Sequence, residues 1–285
     1  MSSGADKQRR ASSEPEPGDD VNGYTISSLL AVGGMGRVYR AVGPDGSEVA
    51  LKLVKASVAI DPIFRRRFAR ETKTAQRVHH PRVVEVLDAG EYHGVPYLVQ
   101  ELMKGGSLEQ KIKAEGQLGI REAVNMCTQV AEGLDAVHSA GLIHRDMKPA
   151  NILLDDAGAY TITDFGLAKD MQGTALTRPG QALGSIDYMA PEQIRGEAVD
   201  AATDVYGLSC VTYECIVGNA PFAGRQGLSV LWAHLQDEPP DPSATVPEVS
   251  PDLARVLLSA LEKEPGKRPL TATAFARSLA AAAGV

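Results

Sequence analysis

Residues 144–151 form the feature that most limits what this chain can fold into. Their sequence is His-Arg-Asp-Met-Lys-Pro-Ala-Asn. Pro149 lacks a backbone N–H and disfavours helical geometry in the residue before it, so this stretch cannot be ordinary helix. We expect an ordered loop that presents a carboxylate (Asp146), an ammonium (Lys148) and a carboxamide (Asn151) in one direction.

A second polar group follows at Thr163-Asp164-Phe165-Gly166, where a carboxylate precedes a flexible glycine. Two acidic groups, an amide and a lysine are what phosphoryl transfer requires: metal ligands, a group that orients a hydroxyl, and positive charge near the phosphoryl group. Taken singly, Asp146 fits a surface turn and Asp164 a helix N-cap. Their order and spacing together indicate one site.

The first third of the chain has the short apolar runs of β-strands. We expect strands over 24–30, 37–41, 49–54, 83–89 and 95–101. Between the first two lies the glycine-rich stretch 31–36. Its glycines would let backbone N–H groups approach phosphate oxygens, although glycine-rich turns also occur for structural reasons alone.

Lys52 lies in an otherwise apolar strand, where an ammonium needs a partner unless it reaches water at a sheet edge. A helix is predicted over 61–78 because Pro62 suits a first turn and Phe64 and Phe68 share one face with Ala75. Glu71 on this helix is the candidate partner of Lys52. The arginines at 65, 66, 67 and 70 fit a solvated face, with a docking site for an acidic segment as the alternative.

The remainder is predominantly helical. Apolar residues at 123, 127, 130, 134 and 137 predict one long helix over 119–140 that ends at Gly141. Further helices are predicted over 204–217, 225–235, 251–262 and 271–282. Residues 104–107 are the expected boundary between a strand-rich and a helical part, and residues 1–21, which lack apolar periodicity, are expected to be disordered.

Composition excludes several classes of protein. A net charge of −7 argues against nucleic-acid binding, which depends on Lys and Arg neutralising phosphates. Three cysteines in apolar segments suggest buried free thiols in a reducing compartment. No stretch approaches the roughly 18 apolar residues of a membrane span. We expect a soluble cytoplasmic domain without membrane contact of its own, either alone or as part of a longer protein that continues beyond Val285 to an anchor.

These motifs resemble those of the eukaryotic-like (Hanks-type) serine/threonine protein kinases of bacteria, over residues 22–283. The resemblance implies an α+β, bilobal kinase fold that binds ATP between its lobes. The N-lobe, residues 22–103, would be β-rich with one main helix, and the C-lobe, residues 104–285, mostly α-helical. One departure is Ala31, which stands where the family has the first glycine of its glycine-rich loop.

The resemblance also implies the catalytic roles. Asp146 would accept or orient the proton of the attacking hydroxyl, and Lys148 would neutralise charge on the γ-phosphoryl group. Asn151 and Asp164 would hold Mg²⁺, with Mn²⁺ as the alternative ion. Lys52, paired with Glu71, would bind the α- and β-phosphates of ATP. A backbone hinge at Glu101–Met103, guarded by Gln100, would bind adenine. The implied ATP-binding residues are Val32, Gly33, Gly34, Gly36, Val38, Ala50, Lys52, Glu101, Met103 and Leu153.

Further residues resemble family elements that support or regulate the catalytic loop. Ser185 matches a hydroxyl that bridges the catalytic Asp and Lys, Asp204 a buried helix aspartate that binds the loop backbone, and Glu192 with Arg268 an ion pair below the activation segment. A phosphorylated threonine is expected to order that segment over two cations; the alternative is a disordered loop with incidental threonines. The expected threonines are Thr177 and then Thr174, and the cations are Arg145 and Lys169.

The leading hypothesis is an enzyme that phosphorylates Ser and Thr hydroxyls of proteins and autophosphorylates its activation loop, with self-association through the N-lobe as a further expectation. A kinase-like scaffold that only binds ATP is the alternative, although it would be expected to lack Lys52, Asp146 or Asp164. A small-molecule phosphotransferase is disfavoured by the peptide-binding pattern from Gly184 to Glu192. A pure interaction module would leave the polar loop unexplained.

Overall fold

The computed structural model describes residues 14–165 and 183–285. They form two compact units: the described residues within Met1–Gln76 and Glu85–Leu102, and those within Arg77–Val84 and Met103–Val285. The first unit is an antiparallel sheet with a helix and the second is mostly helical, which confirms the predicted α+β class. The expected boundary near residue 103 was wrong for residues 77–84, which belong to the helical unit. In this stretch the amide of Val84 donates to the carbonyl of Ile162 at 2.9 Å.

The first unit is built on one six-stranded antiparallel sheet. Its strands are β1 Asp20–Val21, β2 Tyr24–Val32, β3 Gly36–Val42, β4 Glu48–Val54, β5 Val86–Tyr92 and β6 Val95–Glu101. They pair in the order β1-β2-β3-β4-β6-β5. Alternate side chains of neighbouring strands pack on one face, which forms an apolar core that includes Ile26, Tyr39, Leu51, Tyr97 and Val99.

Residues 14–21 are ordered, so the predicted disorder of residues 1–21 was wrong for this part. Val21 is fully buried in the core of the sheet, and β1 pairs with β2. The amide of Gly18 donates to the carbonyl of Ile26 at 2.8 Å. The composition of the segment is that of a disordered tail, but one buried valine and strand pairing supply the contacts that fix it.

The glycines between β2 and β3 have different local surroundings. Gly36 pairs with Val54 on β4, and a Cβ built on Gly36 would lie 2.1 Å from the carbonyl oxygen of Leu53. A Cβ on Gly33 would meet nothing closer than 3.7 Å, and one on Gly34 would meet no atom within 4 Å. Strand packing therefore requires glycine at position 36, whereas positions 33 and 34 have room for a side chain.

The predicted helix next to this sheet is confirmed as Pro62–Ala75 (α2), preceded by the short helix Ala56–Ala59 (α1). The Asp61 side chain caps α2 by accepting from the Ile63 amide at 2.8 Å, and Pro62 occupies the first helical position. Phe64, Phe68 and Ala75 form its buried face as predicted. Glu71 is also buried, with 6% of its surface exposed.

The second unit has helices close to the predicted ranges, and some that were not predicted. The helix Leu108–Glu115 was missed, although Ser107 and Gln110 form a capping box that the sequence Ser-Leu-Glu-Gln indicates. The helices are α3 Leu108–Glu115, α4 Ile120–Ser139, α5 Pro191–Arg195, α6 Ala201–Val217, α7 Leu228–Gln236, α8 Pro251–Ser259 and α9 Ala272–Ala283.

The core of the second unit lies around α4 and α6. The apolar face predicted for α4 is buried, and α6 is buried along almost its whole length. Helix α9 packs on α4. Strands β7 (Ile152–Leu154) and β8 (Tyr160–Ile162) form a hairpin that follows the polar loop. This hairpin positions the loop predicted to be catalytic.

Two predictions from composition can be compared with the described residues. Among residues 14–165 and 183–285, no helix has both the length and the apolar composition needed to cross a membrane. Cys127, Cys210 and Cys215 are all buried as free thiols, and burial raises the pKa of Cys127 to about 12. Such thiols are inert side chains of the core.

Candidate active site

The β7–β8 hairpin brings the two predicted polar groups to one end of the second unit. Ile152 and Ile162 are opposite each other in the hairpin, so Asn151 and Thr163 lie just outside its first pair. The amide of Thr163 donates to the carbonyl of Asn151 at 3.0 Å. Asp164 follows directly, which places its backbone beside that of Asn151.

The catalytic-loop side chains are connected by short hydrogen bonds. Lys148 Nζ donates to Asp146 Oδ2 at 2.6 Å. Asn151 Nδ2 donates to the backbone carbonyl of Asp146 at 2.7 Å and to Asp146 Oδ2 at 3.1 Å. The side chains of Asp146 and Lys148 are 13% and 22% exposed, so both are confined yet open to a reactant. A carboxylate held in this way can accept a hydrogen bond and then the proton of an incoming hydroxyl.

His144 fixes the backbone around this carboxylate. Its ring is fully buried, with Nε2 2.9 Å from the carbonyl oxygen of Thr163 and Nδ1 3.4 Å from the amide of Asp146. These contacts fit the tautomer that carries its hydrogen on Nε2. Arg145 and Asp164 have φ angles of 67° and 63°, a left-handed conformation that non-glycine residues rarely adopt. Such strain persists where neighbouring contacts fix the backbone, and it concentrates at functional sites.

Asp204, in the first turn of α6, binds the backbone of the loop. Its Oδ2 accepts the amide of His144 at 2.7 Å, and its Oδ1 accepts the amide of Arg145 at 2.8 Å. The carboxylate is buried, with 1% of the residue exposed, so these donors supply the hydrogen bonds that it needs away from water. His138 Nε2 lies 2.7 Å from the same Oδ2, a contact that the sequence did not indicate.

Glu192 and Arg268 form a bidentate buried ion pair. Arg268 donates through two nitrogens to Glu192 Oε1 and Oε2, each at 2.8 Å, and the hydroxyl of Thr203 donates to Oε1 at 2.7 Å. Burial alone would raise the pKa of Glu192, but Arg268 and Thr203 stabilise its anion and the pKa falls below its usual value. The pair joins α5 to the segment before α9.

Gln193 is a further contact residue that the sequence analysis missed. Its Nε2 donates to the carbonyl of Arg145 at 2.8 Å, and its Oε1 accepts the amide of Ala190 at 3.0 Å. One side chain thus holds both the strained residue before Asp146 and the start of α5. Nothing in the sequence around Gln193 indicates this contact, because a glutamine in a polar stretch is usually exposed to solvent.

In the first unit, three predicted ATP-binding residues share one face of the sheet. Val38 on β3 is directly opposite Lys52 on β4, and Ala50 lies two residues away on the same side. All three are half-buried, on the face opposite the apolar core formed by Tyr39 and Leu51. This face can therefore contact a ligand.

The other predicted residues of this unit lie on β2, β6 and α2. Gln100, opposite Ala50, is buried with 6% of its surface exposed. The amide of Glu101 donates to the carbonyl of Glu85 at 3.1 Å. Glu71 lies 3.8 Å from Nε of Arg67. Val32 is exposed at the end of β2.

Several predicted regulatory and supporting residues lie outside the described residues. These are Lys169, Thr174 and Thr177, and the side chain of Ser185 also lies outside what the structure describes. Met103 and Leu153 lie in the second unit, where Leu153 forms an isolated bridge with Ser107.

Comparison with known proteins decides the family. The sequence pattern of the Protein kinase domain family matches residues 24–279. The chain belongs to the protein kinase domain family. This confirms the resemblance inferred from the polar loop and the Asp-Phe-Gly stretch.

Two similar proteins come from bacteria. This kinase domain is 37% identical over 267 residues to a probable serine/threonine-protein kinase PknB of Corynebacterium glutamicum, covering 90% of this chain and 41% of the relative. It is 38% identical over 274 residues to the serine/threonine-protein kinase PknA of Mycobacterium tuberculosis, covering 94% of this chain and 63% of the relative. The chain thus spans between two fifths and just under two thirds of the length of these relatives.

A solved structure supports the fold. The crystal structure of the Mycobacterium tuberculosis PknI kinase domain matches with a TM-score of 0.80 and 32% sequence identity, covering 95% of this chain and all of that one. At this identity the likeness extends beyond the arrangement of elements, and it agrees with the family match.

Asn151 and Asp164 fit the magnesium site that the family implies. Both hydrogen bonds of the Asn151 amide nitrogen go to Asp146, which leaves the amide oxygen turned away from these acceptors. An amide oxygen and a carboxylate are ligands that Mg²⁺ takes together with phosphate oxygens and water. The hydrogen bond between the backbones of Asn151 and Thr163 keeps the two donors adjacent.

Proposed function

We propose that this kinase domain transfers the γ-phosphate of ATP to Ser and Thr hydroxyls of proteins. The observation that carries the proposal is the Asp146 carboxylate, held by Lys148 at 2.6 Å and by Asn151 at 3.1 Å in a loop fixed by Asp204. The relatives named as serine/threonine-protein kinases support the acceptor class.

Each group of the loop has a definite task. Asp146 accepts a hydrogen bond from the acceptor hydroxyl and takes its proton, while the hydroxyl oxygen bonds to the γ-phosphorus and the bond to the bridging oxygen of ADP breaks. Lys148 lies beside the same carboxylate and offsets charge on the transferred group. Magnesium bound by Asn151 and Asp164 would neutralise phosphate charge, with Mn²⁺ as a substitute ion.

The family match suggests which residues bind ATP. On β3 and β4, Val38 and Ala50 supply apolar contact for the nucleotide and Lys52 binds its α- and β-phosphates with Glu71 as the partner of Lys52. Val32, the backbone at Glu101 and Met103, and Leu153 bind the adenine end, and the glycine-rich stretch covers the phosphates. The half-buried common face of Val38, Ala50 and Lys52 supports this assignment.

The direct test is transfer of labelled γ-phosphate from Mg-ATP to the domain itself and to a generic protein acceptor, beside the Asp146→Asn variant. Transfer by the wild type that the variant lacks is expected. The scaffold alternative, favoured only by Ala31 in the glycine-rich stretch, predicts ATP binding without transfer in both proteins. An acceptor that contains tyrosine as its only hydroxyl residue checks the Ser/Thr preference.

Alanine at Gly33 or Gly34 is expected to weaken ATP binding without weakening the fold. Both positions have room for a Cβ, so the added methyl would meet the phosphates rather than the protein. We expect Kd for ATP to rise about tenfold, a loss of about 1.4 kcal/mol. Calorimetric titration measures Kd, and thermal unfolding without nucleotide serves as the control.

Gly36→Ala is the matched comparison, because its Cβ would clash with the carbonyl oxygen of Leu53 at 2.1 Å. It should lower the unfolding temperature even in the absence of ATP. Unchanged ATP affinity in both Gly33→Ala and Gly34→Ala would contradict the phosphate-binding assignment of this stretch.

Autophosphorylation at Thr177, with Thr174 second, is expected when the domain is expressed alone. A phosphate there would supply an anion for Arg145 and Lys169 and order the segment. Intact mass and phosphopeptide mapping measure the modification, and the Asp146→Asn variant shows whether the host modifies the site. Wild-type protein that is active yet unmodified at both threonines would refute this mode of activation.

Two wider assignments complete the proposal. We also propose that the domain lies in the cytoplasm, where ATP is present, on its own or as part of a longer protein. Self-association through the first unit is a separate expectation, and sedimentation velocity of the isolated domain over a concentration series would detect it.

A further inference from the structure

The start of α9 is held by a carboxylate from a distant part of the chain. Asp135, on α4, accepts the amide of Ala272 at Oδ1 and the amide of Thr273 at Oδ2, each at 3.1 Å. The hydroxyl of Thr273 also donates to Oδ2, at 2.5 Å. Asp135 thus binds amide groups of the first turn of a helix, where a negative charge is favourable.

The same carboxylate faces a histidine one helical turn later. His138 Nδ1 lies 3.8 Å from Asp135 Oδ1, and His138 Nε2 lies 2.7 Å from Asp204 Oδ2. The imidazole is 12% exposed and sits between two carboxylates that are 26% and 1% exposed. Residues three apart on a helix share a face, which is why Asp135 and His138 can act on the same neighbours.

Asp204 carries the connection onward to the catalytic loop. Its two oxygens accept the amides of His144 and Arg145, the two residues before Asp146. A continuous path of polar contacts therefore runs from the first turn of α9 through Asp135, His138 and Asp204 to the backbone that positions Asp146.

We propose that Asp135 and His138 are positioning residues for the catalytic loop: Asp135 orients the His138 ring, and His138 in turn fixes the Asp204 carboxylate that binds the loop backbone. This role rests on the proposed kinase function, since it concerns the orientation of the Asp146 carboxylate toward the acceptor hydroxyl. It makes the capping of α9 and the geometry of the active site depend on one carboxylate.

The electrostatics of the path agree with this role. Burial by itself would lower the pKa of His138, but the nearby Asp135 carboxylate, the hydrogen bond with Asp204 and the negative charges of both raise the pKa to about 9. Asp135 is also partly buried, yet the His138 ring 3.8 Å away and hydrogen bonds from Thr273 and Ala272 lower its pKa to about 2. The groups that face the imidazole in the described structure are Asp135 on α4, Asp204 on α6 and, through Asp135, the hydroxyl of Thr273 on α9.

The sign of the pH dependence follows from these values. His138 has a raised pKa, so its contacts as a cation are present at neutral pH and are lost as pH rises through about 9. Asp135 has a lowered pKa, so its contacts are lost only in acid, near pH 2. Above neutrality the deprotonation of His138 is thus the event that weakens the path.

Asp135→Asn separates positioning from simple capping. The variant keeps a side-chain acceptor for α9 but loses the negative charge beside His138. We expect the pKa of His138 to fall by about one unit and the alkaline limit of transfer activity to shift down equally. At pH 8 about half of His138 would then be neutral, against about a tenth in the wild type, so kcat should fall about twofold. KM for ATP should not change, because the nucleotide is bound elsewhere while Asp146 is misaligned.

Thr273→Val is the matched control. It removes a hydroxyl bond to the same carboxylate, and so weakens the cap, while it leaves the charge that faces His138. Its pH profile and kcat should match those of the wild type even if its unfolding temperature falls. His138→Gln has no imidazole to titrate. Its kcat should therefore be lower than that of the wild type at neutral pH and should show no decline as pH rises through about 9.

The experiment measures transfer against pH, the titration of the histidine ring protons by NMR, and hydrogen exchange at the amides of His144 and Arg145, in the wild type and the three variants. The ring signal absent from His138→Gln identifies the residue. A lowered His138 pKa with faster amide exchange in Asp135→Asn, and not in Thr273→Val, supports the proposal whether or not transfer is observed. Unchanged exchange and an unchanged pH profile in Asp135→Asn would overturn it, whereas absent transfer in the wild type would count only against the kinase function.

Discussion

Replacing Asp146 with asparagine is expected to lower kcat for phosphoryl transfer by at least about 10²-fold, since a positioned proton acceptor contributes typically 10²–10⁴-fold. Asparagine has the same shape and can keep a contact with Lys148 Nζ, which lies 2.6 Å from Oδ2 of the native residue. It cannot accept the proton of the attacking hydroxyl. The loss should therefore appear in kcat, with Kd for ATP and the unfolding temperature close to those of the wild type.

Asp156→Asn is the matched control for this prediction. Asp156 is an exposed residue in the turn of the β7–β8 hairpin that follows the same loop, so the chemical change is identical and the local fold is shared. Single-turnover transfer to a protein acceptor measures the chemical step, and calorimetry measures ATP binding. Transfer by Asp146→Asn within a few-fold of the wild type would show that a different group accepts the proton.

Much of the fold could be predicted from the spacing of apolar residues and from residues that start or stop helices. The apolar spacing along α4 predicted its length to within a residue at each end, and Pro62 with the buried phenylalanines did the same for the start of α2. The polar loop could be predicted because Pro149 excludes a helix there. A carboxylate, an ammonium and a carboxamide within six residues are also typical of a catalytic site. Each of these signals is local in the sequence.

The sequence could not indicate contacts that depend on distant partners. Gln193 meets the carbonyl of Arg145, and Asp135 meets the start of α9, across 48 and 137 positions of the chain. Val21 is ordered because it packs in the core of the sheet. The composition of residues 14–21 gives no sign of this contact. Helix α3 is different, because the sequence does contain a signal for its start, the capping box at Ser107. The helix is only eight residues long, so its apolar spacing was too short to be recognised.

Replacing Arg268 with alanine is expected to destabilise the fold by about 3–5 kcal/mol, the usual cost of removing one partner of a buried ion pair. Its side chain is 0% exposed, and it binds both oxygens of Glu192 as well as the backbone carbonyls of Glu262, Ala202 and Lys263. It also lies over the ring of Tyr206, 4.8 Å from the centroid. Removal would leave Glu192 buried without its cation.

Lysine should not rescue this position, because a single ammonium cannot reproduce two parallel bonds to one carboxylate. Arg255→Ala is the matched control: Arg255 pairs with Asp252 on the surface of α8, where both side chains are more than two thirds exposed, and the change should cost less than about 1 kcal/mol. Denaturant unfolding of the three variants gives the free energies. Because Arg268 and Thr203 lower the pKa of Glu192, the stabilisation of the wild type should persist above the ordinary glutamate range and decline as pH falls through the lowered pKa. A variant Arg268→Ala that unfolds like Arg255→Ala at neutral pH, with the acid decline intact, would mean that Glu192 finds other donors and that the pair does not hold α5 to the segment before α9.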